Sequence, residues 1–139
     1  MGSVYAEIEL INGADRVLLE MGQITEAEVR RVALRAHVDS GADLMCINEQ
    51  VNGQLQLRER GRVPATLADG SIADLALVGP LEVVFENRRA NVDALVLPGD
   101  AEVLLGAIPM EYMDVLIDPR RRRLIVNPEH PYRAQVRLA

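Results

Sequence analysis

Asp39, Ser40 and Gly41, followed by Ala42 and Asp43, are the residues of this chain best suited to chemistry. A carboxylate that opens a Ser-Gly turn is held in place, because the serine hydroxyl bonds nearby backbone and glycine reaches dihedral angles closed to other residues. A carboxylate fixed in this way is half of an acid–base device. The tripeptide occurs once: Asp69-Gly70-Ser71 has the wrong order, and Asp114 and Asp118 lack the Ser-Gly continuation. Taken alone, Asp39-Ser40-Gly41 also fits an ordinary turn, so its meaning depends on what delivers it.

Other reactive residue types form no recognisable constellation. Cys46 lies in the apolar run Leu44 to Ile47 and reads as a buried structural thiol. His37 and His130 have no metal-ligand spacing to cysteine or carboxylates, so no metal site is expected. Arg120 to Arg123 read as a solvated turn beside Asp118. There is no Gly-rich phosphate loop and no recognisable Ser-His-Asp arrangement.

The elements that must position Asp39 are short strands separated by turn signals. Val32, Leu34, Ala36 and Val38 alternate through Arg31 to Val38, which predicts a half-buried strand running straight into the motif. Val4, Ala6, Ile8 and Leu10 alternate in the same way, until Asn12-Gly13 breaks the run. Arg16 to Met21 is a further strand candidate, and Thr25 with Glu28 has capping-box spacing. Glu49 to Arg60 fits either a short helix or an irregular loop. Asp69-Gly70, between Ala65-Thr66-Leu67 and the run from Ile72, predicts a hairpin with a tight primed turn. Gly79-Pro80 sets Leu81 to Phe85 apart, Asn87-Arg88-Arg89 is a turn candidate before Val92 to Leu97, and Pro98-Gly99-Asp100 ends that strand. Leu104-Leu105-Gly106 is a buried apolar run leading to a short helix whose first turn tolerates Pro109. Val115 to Ile117 and Leu124 to Val126 are the last strands. The expected class is mostly β, a barrel or sandwich.

The 139 residues suit one domain, with a core of about 4–128 and a tail of 129–139. Hydrophobic residues make up 49%, yet no stretch approaches the apolar length of a membrane span. A net charge of −6, one Phe, three Tyr and no Trp argue against nucleic-acid or anionic-membrane binding. One cysteine excludes an intrachain disulfide and points to a reducing compartment. The start, Met1 to Ala6, lacks the charged-then-apolar pattern of an export signal, so a cytoplasmic location is expected.

Three features in order, Val38-Asp39-Ser40-Gly41-Ala42-Asp43, the Asp69-Gly70 hairpin, and Leu104-Leu105-Gly106 followed by Met113 to Pro119, resemble the retropepsin-type aspartic proteases, specifically the small bacterial relatives of the retroviral enzymes. The resemblance implies a closed barrel with a flap hairpin and one short C-terminal helix, equivalent to half of a pepsin-like bilobal enzyme. It implies that Asp39 is catalytic, that Ser40 and Gly41 support the catalytic loop, and that Leu67, Ala68, Asp69 and Gly70 belong to a flap over substrate. Ala42, Asp43 and Ile108 would then bind a peptide or protein substrate. Such enzymes activate a water between two carboxyl groups that share a proton, so the single motif implies a homodimer with Asp39 facing its symmetry mate. Interlaced termini are common in this family, which makes Val4 to Leu10 and Leu124 to Val126 dimer candidates. No cofactor is implied. Retroviral relatives pair the aspartate at position 43 with an arginine just after the later Leu-Gly element, where this chain has Ala107. A catalytically silent peptide-binding or dimerisation module with the same fold is the competing expectation. The tail from Pro128 can cover an edge, occupy the cleft or remain unstructured.

Overall fold

Period-two alternation determines the centre of the fold. In the computed structural model, which describes residues 2–136 and 138, β1 (Val4–Asn12) and β2 (Arg31–Val38) pair antiparallel from Val4↔Val38 to Ile11↔Arg31. That register puts Val4, Ala6, Ile8, Leu10, Ala36 and Val38 on one buried face. The opposite face carries Tyr5, Glu7, Arg35 and His37, so a one-residue slip would invert both strands.

Seven more strands complete one sheet: β3 (Met45–Asn48), β4 (Arg58–Thr66), β5 (Ile72–Phe85), β6 (Arg88–Leu97), β7 (Leu104–Leu105), β8 (Val115–Asp118) and β9 (Arg123–Val126). Their order is β4-β5-β6-β3-β7-β2-β1-β9-β8. An additional antiparallel pairing, Glu9↔Val84 to Asn12↔Leu81, joins β1 to β5 and closes a circuit of strands around the main core. The long β5 serves two structures. Its first half pairs with β4 as a hairpin, and after an irregularity between Val78 and Leu81 its second half turns onto β1. The protein is mostly β, as expected.

Besides the expected C-terminal helix, two more form among the described residues. Arg16 to Met21 is not a strand but most of α1 (Gly13–Glu20). Asn12, read as part of a break, is its N-cap: the side chain accepts from Asp15 N at 3.1 Å and donates to Leu55 O at 2.9 Å. Asp15, in the first turn of α1, is buried and pairs with Arg30 at 2.8 Å, which holds the Asp15 carboxyl below the usual carboxylate range. Asn48 caps α2 (Glu49–Leu55) through Val51 N at 2.8 Å, which resolves the first part of the Glu49 to Arg60 segment as helix. The third helix, α3 (Ala107–Met113), is the expected one. The capping box forms a single 3-10 turn, Glu26–Glu28, with Glu28 accepting from Thr25 N and Oγ1 at 3.0 Å each.

The tail crosses the end of α3 rather than the cleft. Asp114, the left-handed C-cap residue of α3, accepts from Asn127 Nδ2 at 3.0 Å and Gln135 N at 3.1 Å, and lies 2.5 Å from His130 Nδ1. The Asn127 amide, the Gln135 N–H and His130 together pull the Asp114 carboxyl down to about 2. Arg88, almost wholly buried, donates to the His130 carbonyl, and Asn87 Nδ2 donates to Pro131 O at 2.9 Å.

Candidate active site

Asp39 leaves β2 at a point where β7 is wedged alongside. His37 N donates to Val103 O at 2.8 Å and Asp39 N donates to Leu105 O at 3.0 Å, so the parallel β2–β7 ladder fixes the backbone on both sides of Val38. The chain then turns back on itself. Ala42 N donates to Asp39 O at 3.1 Å, and Gly41 N donates to Asp39 Oδ1 at 2.9 Å. One carboxylate oxygen is thus pinned by the loop that follows it.

The loop is braced from beneath by α3. Ala107 N donates to Ala42 O at 2.8 Å and Ile108 N donates to Asp43 O at 3.0 Å, so two helix N–H groups that lack intrahelical partners hold the Asp39 loop instead. This contact explains the glycine of Leu104-Leu105-Gly106. A Cβ at Gly106 would lie 2.2 Å from Leu44 O and 2.8 Å from Ala42 O, both backbone atoms. Position 107 therefore contributes its backbone to the loop, while Asp43 remains exposed with no ion pair among the described residues.

The β4–β5 hairpin closes over this floor. Asp39, Gly41, Ala42 and Asp43 bound a cavity of about 600 Å³ from one side, and Val63 through Ala68 bound it from the other. Its back wall is a separate small apolar cluster centred on Cys46, Leu75 and Leu95. The turn at the hairpin tip differs from the expected two-residue primed form. Gly70 N donates to Leu67 O at 2.9 Å, Leu67 N donates to Ser71 O at 2.8 Å, and Gly70 has φ of +85°. This is a three-residue loop with the glycine in the left-handed position. Asp69 Oδ1 accepts from Ser71 N and Oγ, which holds its carboxyl below the usual range and stiffens the tip.

Of the residues singled out in the sequence, the structure brings Asp39, Gly41, Ala42, Asp43, Leu67 and Ala68 into one cavity. Ser40 is exposed at the apex of the loop, outside the lining. Asp69 and Gly70 lie at the hairpin tip, and Ile108 is 39% exposed on α3; none of the three lines the cavity within one chain. Sequence reasoning missed Val63, Ala65, Leu75, Leu95 and Leu104, although the alternation Val63, Ala65, Leu67 was there to find. Cys46, expected to be a buried thiol, also borders the cavity. Burial pushes its pKa up, and the Asp39 charge adds to the effect.

With this geometry established, comparisons with known proteins acquire meaning. A family model described as aspartyl protease matches residues 25–108, from before β2 to the start of α3. A search of curated proteins finds no match. Among solved structures, the retroviral protease-like domain of Ddi1 from Leishmania major superposes with a TM-score of 0.56 at 18% identity, over 92% of this chain and 90% of that one. The structural likeness is one of fold, and it extends over nearly the whole of both chains.

Proposed function

The chain belongs to the aspartyl protease family, and from that premise we propose that it is an endopeptidase whose active site is completed by a second copy of itself. The observation that carries this reading is the setting of Asp39. A single carboxylate has one oxygen fixed by Gly41 N–H and lies on the floor of an apolar cleft roofed by a hairpin. Peptide hydrolysis by this chemistry needs two carboxyl groups, one ionised and one protonated, on either side of a water. One chain supplies a single Asp-Ser-Gly carboxylate, Asp39, so the symmetry mate's Asp39 supplies the other in a two-fold dimer.

In the dimer the two facing carboxyls share one proton, because neighbouring like charges resist ionising together. The ionised Asp39 takes a proton from the water as its oxygen attacks the scissile carbonyl carbon. The protonated Asp39 donates to the carbonyl oxygen, giving a neutral gem-diol. Transfer of a proton to the amide nitrogen then breaks the C–N bond and releases an amine and an acid. The substrate lies extended between floor and hairpin, with apolar side chains against Val63, Leu67 and Leu75 and backbone groups facing the hairpin edge. The hairpin excludes bulk water from the reacting atoms. The reaction requires no metal or organic cofactor, and the single thiol at Cys46 suits a reducing, cytoplasmic setting.

The test incubates the wild type and Asp39→Asn with a diverse peptide mixture and reads new termini by mass spectrometry between acid and neutral pH. The expected result is cuts that require Asp39. Wild-type protein that folds and associates but cuts nothing at any pH would favour a catalytically silent binding module instead.

A further inference from the structure

The row of paired residues that floors the cleft does not end at the cleft. Across the sheet, Arg123 of β9 pairs with Tyr5 of β1, Tyr5 with His37 of β2, His37 with Leu104 of β7, Leu104 with Cys46 of β3, and Cys46 with Leu95 of β6. Paired residues project from the same face of a sheet. Leu104, Cys46 and Leu95 line the apolar cavity, so His37 and Tyr5 continue its floor beyond the cavity itself. Asp39 follows His37 by two positions, with its N–H still in the β2–β7 ladder. It stands where the apolar part of the floor gives way to a polar part. That polar part is built round one carboxylate. Glu102, on the segment entering β7, has Oε1 3.0 Å from His37 Nδ1, and its Oε2 accepts from Tyr5 OH at 3.2 Å. Tyr5 is held in turn between His37, at 5.2 Å between ring centroids, and Arg35, whose guanidinium carbon is 4.0 Å from the ring centroid. Each Glu102 oxygen thus has one donor and room for another, and the side chain is 48% exposed.

The geometry points to a specificity subsite in which Glu102 receives a cationic substrate side chain, lysine or arginine, beside the scissile bond. This inference rests on the endopeptidase reading above and deepens it by naming a substrate class. An extended peptide with its scissile bond at Asp39 places side chains on both sides of that strand. Those on the hairpin side enter the apolar cavity. One on the far side passes His37 and Tyr5 and meets a carboxylate with free acceptor positions, where a charge-assisted hydrogen bond forms. Because His37 and Tyr5 already hold Glu102, little freedom is lost when a ligand pairs with it. The other charges on this face stand further off. Arg35 lies one step down β2 from His37 and faces Glu7 across the strands, and Arg123 is two strands from Asp39. Glu102 alone of these groups touches His37, the residue next to Asp39 on this face. The cleft therefore reads an apolar residue and a basic residue in one peptide, and a net charge of −6 draws such peptides toward it.

Peptide mixtures in which each position in turn carries lysine, uncharged norleucine or glutamate test this, with circular dichroism as the fold control and kcat/KM ratios read by mass spectrometry. Wild type is expected to favour lysine over norleucine at one fixed position by about tenfold or more. Glu102→Gln still offers Tyr5 and His37 a hydrogen-bond partner but removes the charge, and should bring that ratio close to one. Glu102→Lys should favour glutamate at the same position. Equal cleavage of lysine and norleucine peptides by wild type, a wild-type preference for glutamate, or variants that slow all peptides alike without changing the preference would overturn the subsite. Titrating the same peptides onto Asp39→Asn by calorimetry separates the two readings. Tighter binding of the lysine peptide that Glu102→Gln removes in that background, with no Asp39-dependent cuts by wild type, would leave the subsite standing and reject the protease reading. Equal binding of all three peptides with no cuts would reject both.

Discussion

Asp39 Oδ1 is committed to Gly41 N–H, which in the proposed mechanism leaves Oδ2 as the oxygen that acts. The same economy of contacts makes Gly106 a sensitive position. Since two backbone carbonyls occupy the space of a Cβ there, Gly106→Ala must separate α3 from the Asp39 loop. The expected cost is on the order of 3 kcal/mol, read as a lower urea midpoint, together with loss of cleavage; an unchanged midpoint would contradict the bracing role. Asp114 predicts an acid transition confined to the tail. Its carboxyl, lowered first by Asn127 and also by Gln135 N–H and His130, titrates near 2 rather than near the ordinary carboxylate value of about 4. Its contribution is therefore complete above the ordinary value and is lost as pH falls through about 2. The Gln135 amide resonance should move with that midpoint in wild type and show no such step in Asp114→Asn.

At the scale of elements, side-chain caps convert ambiguous sequence into helix. Asn12 joins three pieces, ending β1, starting α1 and bonding the last carbonyl of α2. Asn12→Ala should cost about 1–3 kcal/mol in chemical denaturation, well above Gln54→Ala at an exposed position of α2; equal costs would mean that the cap is incidental. The strands were largely legible because alternation reports a half-buried sheet directly, as in Val32 to Val38. The first helix was not legible, since Arg16 to Met21 shows no clean periodicity and α1 is held by the Asn12 cap and the pair of buried Asp15 with Arg30, both tertiary facts. The site divided along the same line. Asp39, Gly41 and the Leu104-Leu105-Gly106 brace were visible as local motifs. The back wall of Leu75, Leu95 and Leu104 comes from three separate strands, and no local pattern connects them. Asp69 and Gly70 were read correctly as a turn but lie beyond the lining, because a three-residue loop carries the tip past the cleft.

The whole molecule is a closed set of strand pairings with one open end at the hairpin and another at β8. The first covers the cleft. On the proposed reading, a fold of this kind places one carboxylate and leaves the opposing one to another chain. The claim that the active site is shared can be measured by holding wild type at constant concentration and adding Asp39→Asn subunits after the chains have been allowed to exchange. A shared site predicts that cleavage falls progressively, to about half when the two chains are equal in amount, as wild-type pairs are diluted into mixed ones. A rate indifferent to added Asp39→Asn would mean that each chain works alone, and would contradict the account.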